Sequence, residues 1–320
     1  MKSIKLYFQK QSIYVWSVSE LGNPMKLLIR NYIRSIIQCF STVIINGNLS
    51  GFWKGKIYTG KSKNLCVPVL NCYSCPGALG ACPIGALQVS AGCSLYGISF
   101  YVLGFLSLMG VLFGRVICGF LCPFGLIQEL LHKIPNHKLR INKKFDRPLR
   151  LIKYFILVIL VILLPFLAAD SYGSTIPFFC KYLCPAGTLE GGIPLISMNK
   201  PLQSTIGWLF SWKLFVLAII LMLSILIYRG FCKYLCPLGA FYALFNRFSF
   251  YRYIINQNKC TNCGACSNVC KMNVEPVKTP NHSECIRCGS CKRNCPQKAI
   301  HLEPIKLFQS EEKNEATNTI

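Results

Sequence analysis

Three stretches of the chain are almost continuously apolar: about 96–114 (YGISFYVLGFLSLMGVLFG), about 152–169 (IKYFILVILVILLPFLAA) and about 209–228 (LFSWKLFVLAIILMLSILIY). Each approaches the ~20 residues that a helix needs to cross the hydrocarbon core of a bilayer. A fourth candidate, 25–46, carries Arg30 and Arg34 on an apolar background, and either spans or lies in the interface. From about 251 the apolar runs stop and a different domain begins. The pattern predicts a mainly α architecture. An N-terminal segment, 1–24, precedes a membrane domain over 25–250 with about four polytopic helices in tandem two-helix repeats. A small separate domain over 251–305 comes next, then a disordered tail over 306–320 rich in Glu, Lys, Asn and Thr.

Composition agrees with the membrane reading. The chain is 52% hydrophobic and 14% charged, with a mean hydropathy of +0.42, more apolar than a soluble domain of this size. The 35 Lys and Arg against 11 Asp and Glu give a formal charge of +24. No nucleic-acid motif accompanies that charge, and the basic residues cluster beside apolar segments, as the positive-inside rule requires. The lipid bilayer, not nucleic acid, is the expected partner. The loop 115–151 holds Arg115, Lys133, Lys138, Arg140, Lys143, Lys144, Arg147 and Arg150, whereas 170–207 holds only Lys181 and Lys200. The first loop is therefore predicted to face the cytoplasm, with 47–95 and 170–207 outside and everything after 228 inside. Residues 1–20 lack an h-region and a small-residue cleavage site, so no cleavable signal peptide is expected.

Twenty cysteines, most at short regular spacings, point to metal rather than to a disulfide scaffold. In RGFCKYLCPLG, residues 229–239, Cys232 and Cys236 stand four apart with Pro237 behind them. On a helix such a pair shares one face, with Cβ atoms ~5–6 Å apart. That is too wide for a disulfide, which wants about 3.8 Å, but it suits two thiolates gripping one metal or cluster. Pro237 is expected to stop that helix. RVICGFLCPFG, 115–125, repeats the Arg, the Leu, the Pro, the final Gly and both thiols, here Cys118 and Cys122. A third copy, CKYLCPAG at 180–187, keeps Cys180, Cys184 and Pro185, but Pro177 replaces the Arg, as suits an outer position. NCYSCPGALGACPIGA adds Cys72, Cys75 and Cys82 on that outer side.

The most specific signal lies near the C-terminus. CTNCGACSNVC from 260 and CIRCGSCKRNCP from 285 are two C-x2-C-x2-C-x3-C runs, the bacterial two-cluster ferredoxin pattern. In that pattern the fourth Cys of each run crosses to the other cluster. Cys260, Cys263, Cys266 and Cys295 are expected to hold one [4Fe-4S] cluster, and Cys285, Cys288, Cys291 and Cys270 the other, in a small α+β ferredoxin-like fold. Lys271 replaces the usual Pro after Cys270. Zinc is the alternative for any four cysteines, but zinc motifs lack the evenly stepped third thiol.

The inner pairs supply four thiols, Cys118, Cys122, Cys232 and Cys236, the number one [4Fe-4S] cluster needs. Buried structural thiols are the plainer alternative. Cys180 and Cys184 with two of Cys72, Cys75 and Cys82 make a matching outer set, for which disulfides are the alternative. One or two clusters in the membrane domain would divide a ~30 Å hydrocarbon core into shorter electron hops. His132, His137, His282 and His301 all lie outside the predicted spans, so no haem is expected. No phosphate-cradling glycine loop or nucleophile elbow is found, and no catalytic residue is nominated. Cys39, Cys66 and Cys93 have no spaced partner and read as structural. Asp170 and Glu190 flank the third motif and read as solvated, rather than as a proton relay from a quinol.

Together the C-x3-C-P motifs after membrane helices, NCYSCP with ACPIGA, and the two-cluster tail resemble the NapH-type family of 4Fe-4S membrane proteins, quinol-dehydrogenase-like subunits that serve periplasmic reductases. The resemblance covers about residues 60–300. It implies four membrane helices, cytoplasmic C-terminal clusters and a role in quinol oxidation or membrane electron transfer. Cys72, Cys75, Cys82 and the motif at Cys180 go beyond the minimal family pattern. The expected function is electron transfer across the cytoplasmic membrane. It would link a cytoplasmic ferredoxin- or flavodoxin-like carrier, or the quinone pool, with an extracytoplasmic redox protein. The alternatives are a metal-ion or thiol reductase using the outer cysteines, and a redox sensor or cluster-assembly factor.

Overall fold

The protein, seen in a computed structural model, is described at residues 24–92, 100–136, 138–139, 141–171, 174–204 and 206–304, with backbone alone at 24–31 and 143. The expectations for 1–23, Cys93, His137 and the 306–320 tail lie outside the described residues. A helix Pro24–Ile45 opens the described chain. The stretch before Arg34 forms a unit of its own, and the second unit, from Arg34 onward, contains every cysteine motif.

The architecture is mainly helical. Two helices, Lys144–Leu167 and Trp208–Leu226, are long and apolar enough to cross a membrane, while Tyr32–Ile45 and Phe100–Phe113 are apolar but shorter. The long helices leave Phe155, Val158, Ile162, Phe215, Ile219 and Met222 exposed. A continuous apolar surface of this kind calls for lipid or a partner rather than water. The first of them begins well before the expected position 152. Lys153 pairs with Glu284 and Asp146 with Lys233, so charges that read as loop are satisfied by other parts of the fold, and the helix extends through them. Asn142 caps its start, accepting the Lys144 N–H.

Each C-x3-C-P motif breaks the chain in a way the helix-face reading did not anticipate. Cys232 lies in a one-turn helix, Gly230–Tyr234, but Cys236 is extended (φ −72°, ψ 114°) and caps a new helix, Pro237–Phe245. Cys122 (φ −71°, ψ 118°) holds the same position before Pro123–His132, though its thiol accepts no capping N–H. The proline does stop the preceding helix, since the residue before it avoids the helical region. Its own fixed φ and missing N–H then suit the first position of the next one.

The C-terminal domain pairs strand Tyr251–Ile255 antiparallel with Ile300–Pro304, with Tyr253 opposite Leu302. Its short helices Ala265–Asn268 and Ser290–Arg293 each come after a glycine, Gly264 (φ 74°) or Gly289 (φ 79°), whose left-handed backbone a side chain would strain. The domain is bolted to the helical region that precedes it. Arg287 donates to the Phe113 and Asn246 carbonyls, and Asn246 Nδ2 donates to the His282 and Cys285 carbonyls at 2.7 and 3.0 Å.

Candidate metal centres

The inner quartet is brought together as the repeat suggested. Cys118, Cys122, Cys232 and Cys236 are all buried and mutually close. Cys122 and Cys236 sit at helix N-termini, whose partial positive charge favours a thiolate. The Gly239 N–H donates to Cys236 Sγ at 3.3 Å. Gln128 clamps the facing motif: its Nε2 donates to Cys232 Sγ at 3.0 Å while its Oε1 accepts the Phe231 N–H at 3.1 Å.

Two arginines lock the halves crosswise. Arg115, from the first motif, donates to the Cys232 carbonyl at 3.1 Å. Arg229, from the second, donates to the Cys118 and Gly119 carbonyls. Both are fully buried and are structural members of the site. Each is paired. Arg115 and Lys153 hold Glu284, and Arg229 and Arg34 hold Glu129. Burial alone would raise the Glu284 pKa, but Arg115 and Lys153 hold it down at about 2. Glu129 is likewise held below the usual carboxylate range, burial being outweighed by Arg229, Arg34 and the Tyr228 hydroxyl.

On the other set of cysteines the fold chooses among the five available. Cys184 lies close to Cys180, Cys82 and Cys72. A methyl on Gly187 would stand 3.8 Å from Cys184 Sγ and 3.9 Å from Cys72 Sγ, and one on Gly85 would stand 4.0 Å from Cys180 Sγ beside Cys82. Cys75 turns instead toward Asn46 Oδ1, at 3.7 Å. Cys66 is buried beside Cys82, in a bridge with Ala81. Gln88 repeats the role of Gln128, donating to Cys180 Sγ at 3.2 Å and accepting the Phe179 N–H at 2.9 Å. The Gly187 N–H donates to Cys184 Sγ at 3.4 Å.

Glu190, read from the sequence as solvated, is half-buried and accepts the Cys72 N–H at 2.9 Å. Burial pushes its carboxyl up to about 7, only partly offset by that N–H. Asp170 is exposed, as expected.

In the C-terminal domain the thiols group by the crossed pattern. One cavity is lined by Cys260, Cys263, Cys266 and Cys295, another by Cys270, Cys285, Cys288 and Cys291. No disulfide joins any described cysteine. Nor do any three His, Cys, Asp or Glu side chains among the described residues converge tightly enough for a single metal ion. Four convergent thiols are the ligand number that one [4Fe-4S] cluster needs.

The glutamine clamps escaped the sequence reading. Their signal is a second, longer repeat, CPIGALQ at 82–88 against CPFGLIQ at 122–128, in which the Gln stands six residues after the Cys.

Similarity to known proteins runs along the same lines. Two models of a 4Fe-4S binding domain match, one over 96–142 and 208–253, the other over 253–274 and 279–301. The chain is an iron–sulfur electron-transfer protein of ferredoxin type. It is 30% identical over 196 residues to the uncharacterized protein MJ0750 of Methanocaldococcus jannaschii, covering 59% of this chain and 72% of that one. It is 28% identical over 230 residues to the methylamine utilization ferredoxin-type protein MauN of Paracoccus denitrificans, covering 71% and 70%. The regulatory protein NosR of Stutzerimonas stutzeri is 29% identical over 184 residues, 54% of this chain but only 22% of NosR. The chain belongs to the NapH-type family of 4Fe-4S proteins. No solved structure matches it.

Proposed function

We propose that the protein relays electrons across the cytoplasmic membrane, through two clusters in its C-terminal domain and at least one in its membrane domain. The relay would link a cytoplasmic carrier or the quinone pool to an acceptor outside. Bound [4Fe-4S] clusters supply one-electron exchange; the protein supplies their spacing, burial and charge. Cys260, Cys263, Cys266 and Cys295 would hold one cluster, Cys270, Cys285, Cys288 and Cys291 the second, and Cys118, Cys122, Cys232 and Cys236 a third.

One contact carries this reading. A methyl on Gly119, between the inner thiols, would stand 2.5 Å from the carbonyl oxygen of Ile286, which lies between Cys285 and Cys288. The loops bearing two thiol quartets are thus in direct backbone contact, with glycine required at the crossing. Glu284, next to Cys285, is held by Arg115, three residues before Cys118, so the contact is fixed by a buried ion pair. A domain serving only as a soluble cluster store has no use for such docking.

The test is reconstitution of the 320-residue chain in sealed vesicles, with a membrane-impermeant reductant on one side and an impermeant acceptor on the other. Wild type is expected to pass electrons. Cys232→Ser with Cys236→Ser should abolish transfer while the EPR signals of the C-terminal domain remain. Transfer unchanged in that variant would refute the relay.

A further inference from the structure

Neither 4Fe-4S domain match reaches residues 47–95 or 170–207. We infer that Cys72, Cys82, Cys180 and Cys184 hold a [4Fe-4S] cluster of their own, with Cys75 and Cys66 outside the ligand set. This site would be the far station of the relay proposed above, and rests on that reading for its role though not for its chemistry.

The geometry repeats that of the inner quartet position by position. Cys82 and Pro83 open a helix, Pro83–Gly92, as Cys122 and Pro123 open theirs. Six residues on, Gln88 and Gln128 each donate to the first thiol of the facing motif and accept the N–H just before it. Cys184 and Cys236 each take an N–H from the glycine three residues ahead. One position breaks the correspondence. Ala78 stands four before Cys82, where Cys118 stands four before Cys122. Cys72 fills the gap from a neighbouring loop, held by Glu190, and glycines 187 and 191 leave room for its sulfur: a methyl on Gly191 would stand 3.1 Å from Cys72 Sγ. The quartet is thus restored by a different residue, which a merely structural thiol pair would not need.

A second observation points to a missing ligand. Asn71, beside Cys72, is fully buried, yet neither its Nδ2 nor its Oδ1 has a hydrogen-bond partner. A buried amide left wholly unpaired is costly. A cluster sulfide or thiolate within reach would accept the Nδ2 hydrogens. Each thiol loses one proton when it becomes a ligand, and the cluster's iron compensates the buried thiolate charge.

Iron and acid-labile sulfide per chain, measured on protein purified without oxygen, test the assignment. Cys72→Ser with Cys184→Ser is expected to lose about a quarter of the iron of a four-cubane protein, with the C-terminal EPR signals intact. Cys66→Ser with Cys75→Ser should lose none. No loss in the first variant, or equal loss in the second, overturns the assignment. Cys118→Ser with Cys232→Ser keeps the two proposals apart. Iron lost there but not at Cys72 and Cys184 sinks this site alone, and the reverse sinks the inner station while this one stands. If the serine variants aggregate, Asn71→Leu and Gln88→Met retain every thiol. Both should lower the midpoint potential of one and the same EPR signal, and an unmoved potential in both refutes the site.

Discussion

The inner and outer quartets share a scaffold and differ in charge. Both place a cysteine before a Pro-started helix, both clamp the facing motif with a glutamine, and both point a glycine N–H at a thiol. The inner one is ringed by Arg34, Arg115, Lys153 and Arg229 against two carboxylates, Glu129 and Glu284. The outer one has Glu190 against Cys72, and Lys63 bound to the Ala78 carbonyl. Backbone architecture therefore sets where thiols converge, and the surrounding ion pairs set what an electron would encounter there. Net charge and hydrogen bonds are the protein's levers on cluster potential.

Breaking the comparison at the inner end has the largest expected effect. Glu284→Gln strips Arg115 and Lys153 of their shared carboxylate, and losing one member of a buried pair costs ~3–5 kcal/mol. Thermal unfolding should show a large loss of stability, and limited proteolysis should release the C-terminal domain. Glu190→Gln at the outer end keeps an acceptor for the Cys72 N–H and orphans no cation, so its cost should stay below about 1 kcal/mol. Equal losses in the two variants would erase the distinction.

Gly119→Ala comes next. The added methyl collides with the Ile286 carbonyl, and overpacking of this kind costs ~1–3 kcal/mol. Electron passage between the C-terminal domain and the inner quartet should slow in stopped-flow reduction, whereas Gly104→Ala, where the new methyl meets nothing within 4 Å, should leave the rate alone. The charge difference sharpens the comparison without a mutation: in a redox titration followed by EPR, the inner cluster should titrate at a higher midpoint than the outer one, because nearby cations favour the more negative reduced state. The smallest effect belongs to Gln128→Met. It should lower the midpoint of the inner signal alone, the counterpart of Gln88→Met at the outer one.

Much of this was written in the spacing of cysteines. The two C-x2-C-x2-C-x3-C runs specify their crossed grouping because so short a chain can wrap a cubane in few ways, and the cavities obey it. The repeated C-x3-C-P likewise predicted which inner thiols meet. The hidden features depend on neighbours remote in sequence. The Cys72 loop is held by Glu190, 118 residues away. Arg115 counts among the basic residues of the 115–151 loop, and its burial is not legible there because its carboxylate partner lies 169 residues downstream. The start of Lys144–Leu167 was missed for the same reason, since Asp146 and Lys153 look like loop charges until Lys233 and Glu284 arrive. Local pattern reports well which thiols gather together, and poorly the company of buried charges.

The crossed arginines also impose an order on biosynthesis. When the first motif leaves the ribosome, Arg115 has neither the Cys232 carbonyl nor Glu284, and the Cys118 carbonyl has no Arg229. A lone guanidinium cannot be buried without its partners, so the first half must hold its pocket open and hydrated until the last quarter of the chain has been made. Iron delivered to the nascent first motif would find only two of the four thiols, since Cys232 and Cys236 come more than 100 residues later.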